Sequence, residues 1–114
     1  MIVDELGHTI SLDVSKVDQL FFNCCSPEDQ LNAIRQLCSE PFLPMTEKLN
    51  VEKKRFEKIP KIYVECTKDN ALTVEAQQIM SSQYNCSTIR LPTDHSPFLS
   101  CPEEVLKILS LKTS

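Results

Sequence analysis

Glycine is nearly missing from this sequence. It has one, Gly7, in 114 residues, where average usage of about 7% would supply roughly eight. The shortage excludes whole classes of site. A Gly-rich phosphate loop, a dinucleotide fingerprint and a Gly-x-Ser-x-Gly nucleophile turn all need backbone conformations or close approaches that glycine supplies most easily. Positive charge is short as well. Lys and Arg number 12 against 16 Asp and Glu, a net charge of −4, which argues against a nucleic-acid partner held by phosphate neutralisation. Long apolar runs are missing: no stretch approaches the ~18–20 residues of a membrane span. The start, Met1-Ile2-Val3-Asp4-Glu5, has neither a basic region nor an apolar core, so no secretory signal is expected there.

What is present describes a globular chain. Hydrophobic residues make up 41% and charged residues 25%, with length for one domain that could bury about two thirds of its unfolded surface. Six cysteines stand at 24, 25, 38, 66, 86 and 101. None forms a C-x-x-C pair and two are adjacent, which suits neither zinc nor a disulfide framework. Several lie in apolar runs such as Val64-Glu65-Cys66, where a free thiol behaves as a small hydrophobe. Reduced, structural cysteines are expected, and with them a cytoplasmic setting. The basic run Lys53-Lys54-Arg55, interleaved with Glu52 and Glu57, reads as a solvated connecting segment.

There are no internal repeats, and the chain divides near residues 50–60. Before the division, His8 to Val14 alternates apolar and polar residues, the period of a half-buried strand. Val17 to Cys24 reads as a second strand or a short helix. Ser26-Pro27-Glu28-Asp29 is a helix start: a capping serine, proline at the first helical position, and an S-x-x-D spacing. Leu31, Ile34, Leu37 and Cys38 then share a helical face, and Pro41 and Pro44 stop it. After the division, Lys61 to Cys66 is rich in strand formers and follows Pro60. A helix is predicted from near Thr73 with Ala76, Ile79 and Met80 facing inward, then a strand over Ser87 to Leu91. Ser100-Cys101-Pro102-Glu103 reads as a capping box that opens a final helix carrying Val105, Leu106, Ile108 and Leu109. Strand–helix–strand–helix implies an α/β arrangement with two parallel neighbours.

Sites in open α/β sheets form beyond the carboxyl ends of the strands. Asp69 follows the first strand of this unit and His95 the second, so parallel pairing brings their loops together. A carboxylate accepting from Nδ1–H of a histidine fixes its tautomer and leaves Nε2 free as a general base. On the residues alone, a loop-capping aspartate and a surface histidine are the commoner reading. His8, the other histidine, sits in the N-terminal alternating segment and reads as a surface or packing residue.

Cys66-Thr67-Lys68-Asp69-Asn70-Ala71-Leu72 with Glu75-Ala76-Gln77 resembles the acid segment of α/β-hydrolases, most closely the group of plant methylesterases, the salicylic-acid-binding esterase and hydroxynitrile lyases. Asp94-His95-Ser96-Pro97-Phe98-Leu99-Ser100-Cys101-Pro102-Glu103 is similar to that group's histidine segment, and Cys25-Ser26-Pro27-Glu28-Asp29 with its helix to the cap segment. The resemblance runs from about Val17 to Leu111. It implies that Asp69 is a triad acid and His95 its general base. It also implies a partial α/β-hydrolase fold: a cap segment over 1–50, a charged connector over 51–60, and the last two parallel strands with their helices over 61–114.

Departures from the family pattern narrow this. The lyases place a lysine soon after the histidine; here Ser96 follows directly and the next lysine is Lys107, which leaves ester hydrolysis. Thr73 stands where the family often has proline, altering a cap and not the chemistry. No serine lies in a Gly-x-Ser-x-Gly context: Ser26 and Ser100 read as caps, and Ser81, Ser82 and Ser96 as ordinary helix or loop serines. The expectation is therefore the C-terminal part of a serine carboxylic-ester hydrolase whose nucleophile and oxyanion hole lie outside these residues, with no triad-dependent activity of its own. No metal or organic cofactor is implied, nor a nucleic-acid or membrane partner. A small-molecule ester would bind only once an N-terminal half completes the site. The alternative is a catalytically inactive, truncated or split chain acting as an interaction module, self-associating or binding a complementary chain through the bare edge of the Lys61–Cys66 strand.

Overall fold

The computed structural model describes residues 1–111. The N-terminal third is a small antiparallel sheet with helices beside it. Strand β1 (Ile2–Val3) pairs with β2 (Thr9–Ser11), and β2 pairs with β3 (Glu40–Pro41). The single glycine sits in the turn joining β1 to β2, with φ of +70°, a conformation in which any Cβ is strained. Asp4 closes that turn by accepting from the backbone N–H groups of His8 and Thr9.

Between β2 and β3 run helix α1 (Val17–Phe21) and helix α2 (Pro27–Gln36). The Val17 segment is thus a helix and not a strand. The strand expected over His8 to Val14 is only three residues long, because Asp13 turns back to bond Ser15 and leaves the sheet direction. Helix α2 begins as its sequence dictates: Ser26 accepts from the Asp29 N–H at 3.2 Å, with Pro27 at the first position. It ends at Gln36, well before either proline. Pro41 lies in the edge strand β3, and Pro44 lies in the first turn of helix α3 (Leu43–Thr46), where its missing N–H is not needed. The charged connector carries one exposed helical turn and a half, α4 (Lys53–Glu57), with a Lys53–Glu57 ion pair at 3.8 Å.

The second half is the predicted strand–helix–strand–helix unit. Strand β4 (Lys61–Cys66) pairs in parallel with β5 (Cys86–Leu91), from Lys61 opposite Cys86 to Cys66 opposite Leu91. Helix α5 (Val74–Ser82) crosses between them, capped by the Thr73 hydroxyl accepting from the Ala76 N–H. After β5 come α6 (Pro97–Ser100) and α7 (Pro102–Leu109).

Two expectations fail here. Helix α5 does not turn Ile79 and Met80 inward; they are 63% and 47% exposed, and the buried residue of the helix is Gln77. The Gln77 amide accepts from the Cys66 N–H at 2.8 Å and donates to the Cys66 carbonyl at 2.9 Å, taking the place of a neighbouring strand. Ser100 is not the cap of α7. That position is Cys101, with no side-chain hydrogen bond, and the Ser100 hydroxyl turns back into the histidine loop.

Little is buried. The hydrophobic core is Ile10, Val17, Phe22, Cys66 and Leu91. Accessible surface is 8955 Å², against roughly 6,300 Å² for a monomer of this mass. The radius of gyration is 16.2 Å, where a compact domain of this length has about 13 Å. Leu106 and Leu109 on α7 are 65% and 77% exposed.

Candidate active site

The site lies beyond the carboxyl ends of β4 and β5. The parallel ladder continues past both strands: Thr67 donates to the Leu91 carbonyl and Lys68 to that of Thr93, each at 2.9 Å. Those two bonds hold the loop carrying Asp69 against the loop carrying His95. Asp69 folds into an Asx turn, its Oδ1 accepting from the N–H groups of Ala71 at 2.8 Å and Leu72 at 2.9 Å. Its other oxygen, Oδ2, is 2.7 Å from His95 Nδ1.

The two side chains differ in exposure. Asp69 is 4% exposed and His95 is 40% exposed. A buried carboxylate accepting from Nδ1–H holds the ring in the tautomer with its proton on Nδ1. Nε2 is then an unprotonated acceptor facing outward, and it has no hydrogen-bond partner among the described residues. Phe21, from the end of α1, packs its ring edge-on against the imidazole, centroids 5.0 Å apart at 80°. The arrangement can take a proton from a donor brought to the open side of His95 and return it.

Helix α1 and the turn after it are tied to both loops. Asn23 donates through Nδ2 to the Lys68 carbonyl at 2.8 Å, and Asn70 donates to the Gln19 carbonyl at 2.8 Å. Asp94, wholly buried, accepts from the Cys24 N–H at 2.7 Å. Phe21 has a second neighbour: it also lines an apolar cavity of about 490 Å³ shared with Ile10, Leu12, Leu37 and Met45. One aromatic ring therefore separates His95 from an apolar space.

The cysteines are free thiols. Burial, reinforced by the charge of Asp94, pushes Cys25 up to about 12, and burial, reinforced by Asp69, pushes Cys66 up to about 11. Both stay protonated at neutral pH, the opposite of what a nucleophilic cysteine needs. His8 lies in the β1–β2 turn region, where its backbone N–H donates to Asp4 and its carbonyl accepts from the Phe42 N–H. No group of three or more metal-ligating side chains gathers among the described residues, and none of their helices is long and apolar enough to cross a membrane. Sequence reasoning missed Gln77, Asn23, Asn70 and the buried partners of Asp94. All are polar residues whose roles depend on contacts across the chain.

No protein-family model matches the chain. Its curated relatives include "Putative methylesterase 11, chloroplastic" of Arabidopsis thaliana, 34% identical over 88% of this chain and 26% of that protein. Another is "Putative methylesterase 15, chloroplastic" of the same plant, 32% identical over 88% of this chain and 23% of that protein. Among solved structures, a pyrethroid hydrolase from Sphingobium faniae JZ-2 superposes with a TM-score of 0.80 at 23% identity, over 96% of this chain and 45% of that one. Polyneuridine aldehyde esterase superposes with a TM-score of 0.76 at 23% identity, over 89% of this chain and 41% of that one. The chain spans about a quarter of the length of the curated relatives it matches and under half of these structures.

Proposed function

We propose, for a chain that carries part of the α/β-hydrolase fold and resembles the plant methylesterases, that it supplies the acid and the base of a serine carboxylic-ester hydrolase. The observation that carries this is the 2.7 Å contact between His95 Nδ1 and Asp69 Oδ2 at the carboxyl ends of two parallel strands. In this reading Asp69 orients the ring and stabilises the imidazolium. His95 takes the proton of an attacking serine hydroxyl through Nε2, gives it to the departing alcohol, and repeats the cycle with water. The serine and the oxyanion donors come from sequence outside these 114 residues. Residues 1–50 act as the cap, and the apolar cavity beside Phe21 takes an apolar part of the ester. Six free thiols suit a reducing compartment such as the cytoplasm.

The test is a chimera that joins the N-terminal portion of polyneuridine aldehyde esterase to this chain. Ester turnover is expected, falling about 10³-fold or more with His95→Ala. A folded chimera whose turnover ignores His95 overturns the reading.

The surface favours a second role. The accessible area of 8955 Å² exceeds that of a compact monomer by roughly 2,600 Å², and β4 has no strand on its outer side among the described residues. A chain acting alone would then be an interaction module, pairing with a second copy or a complementary chain through that edge.

A further inference from the structure

We infer that Asp94 is a positioning residue, the latch that holds the ring of His95 between Asp69 and Phe21. This rests on the Asp69–His95 reading and extends it to a carboxylate that does not touch the imidazole. Asp94 is 0% exposed. Its Oδ1 accepts from the Ser96 N–H at 2.9 Å and the Ser100 hydroxyl at 3.0 Å. Its Oδ2 accepts from the Cys24 N–H at 2.7 Å and lies 3.5 Å from the Cys25 thiol. The Ser96 bond spans His95 itself, so the backbone on both sides of the base is fixed by one side chain. The Ser100 hydroxyl, which also contacts the Thr93 hydroxyl, anchors the far end of α6 to the same oxygen.

The other oxygen reaches the turn after α1. Phe21, whose ring edge rests on the imidazole, ends α1. That turn is bound in parallel to the acid loop through Asn23 and the Lys68 carbonyl. Asp94 therefore ties the loop of the base to the turn that follows Phe21, and through Asn23 of that turn to the loop that carries Asp69. Its charge meets four uncharged donors and no cation among the described residues. That makes both oxygens necessary: an asparagine offers one acceptor and turns two N–H groups toward donors.

The experiment reads the histidine tautomer in the full chain labelled with ¹⁵N-histidine, at a pH where the imidazole is neutral. Where the chain associates, sedimented material and magic-angle spinning give the same signal. Exposed His8 is the internal reference for a free ring, which favours the proton on Nε2. In the parent chain His95 is expected to carry its proton on Nδ1. Asp94→Asn is expected to lower the ratio of Nδ1–H to Nε2–H at His95 several-fold, and Ser100→Ala to lower it less, with Ser100→Thr restoring it. Should Asp94→Asn fail to fold, the Ser100 pair decides. Parent-like tautomers in Asp94→Asn and Ser100→Ala, beside an Asp69→Asn chain that loses the Nδ1–H form, would leave Asp94 a plain loop staple and overturn the inference. An unchanged tautomer in Asp69→Asn would instead overturn the Asp–His reading beneath it.

Discussion

The loops beyond β4 and β5 and the outer faces of the same unit are built on opposite terms. In the loops, Asp69 and Asp94 and the Thr67 and Lys68 amides all have hydrogen-bond partners, and the two carboxylates are at most 4% exposed. On the outer faces, Ile79, Met80, Leu106 and Leu109 are exposed, and β4 has no strand on its outer side among the described residues. The polar bonds join residues as far apart as Asp69 and His95 or Cys24 and Asp94. The parallel pairing of β4 with β5 brings the two loops within the short, directional reach of a hydrogen bond. Apolar faces stay exposed until another layer covers them. The polar loops are thus satisfied within the described residues, while the outer side of β4 and the apolar faces of α5 and α7 have no covering layer among them.

The largest test breaks the polar end. In Asp69→Asn, the amide oxygen keeps the place of Oδ1, which already accepts from the Ala71 and Leu72 N–H groups. The NH₂ then faces His95 Nδ1 and forces the ring proton onto Nε2, where it blocks the base. Turnover by the chimera should fall about 10⁴-fold, as a wrong-tautomer aspartate-to-asparagine change does in a serine protease triad. A loss below tenfold would show that the carboxylate does not set the tautomer.

Attacking the open face gives the next effect. Residues of β4 alternate in direction, and the Cys66 N–H points away from β5 to Gln77, so the N–H of Val64 also points outward. Val64→Pro removes that donor while sparing the β5 ladder. The parent chain is expected to sediment as dimers or larger species at high concentration, and Val64→Pro to shift it toward monomer. A parent chain that stays monomeric would mean that the edge is protected by something other than pairing.

Gln77 stands on the boundary between the two regions, closing the last residue of the otherwise open β4 edge. Gln77→Ala leaves the Cys66 N–H and C=O without partners in a buried place, a cost of about 2–4 kcal/mol, read from denaturant midpoints. A change under about 0.5 kcal/mol, the size of an ordinary surface substitution, would mean that water replaces the amide.

The same division explains how much could be read from residues. The cap of α2, the β4 and β5 strands and the start of α5 followed from local patterns: Ser26-Pro27, a β-branched run and Thr73. The approach of Asp69 to His95 is expected from two loops after parallel strands, but their pairing only from the family resemblance. The errors came from contacts that helix spacing and capping patterns do not encode. Ile79 and Met80 have apolar helical spacing, which predicts burial only if something lies over them. Ser100 fits a capping box, yet the buried carboxylate of Asp94 is a stronger acceptor than an end-of-helix N–H is a donor. Gln77 reads only as part of the acid segment, and its bonds to Cys66 go unread because nothing local shows that the Cys66 backbone needs a partner.

The smallest effect concerns Cys25, where the latch meets solvent pH. Its thiol is pushed up to about 12 by burial and by Asp94, above the ordinary thiol range of about 8.5. A group whose folded value is raised holds its proton in the folded chain while the unfolded chain loses it. Folding stability is therefore full below the unfolded value, falls as pH rises past it, and stops falling above the folded one. The parent chain should lose stability progressively from about pH 9 toward pH 12, measured by denaturation at fixed ionic strength. Cys25→Ser keeps an O–H donor for Asp94 but does not ionise in this window, so its stability curve should be flatter there. Equal slopes in the two chains would show that the Cys25 thiol is not held by Asp94, and that the latch engages the turn through the Cys24 N–H alone.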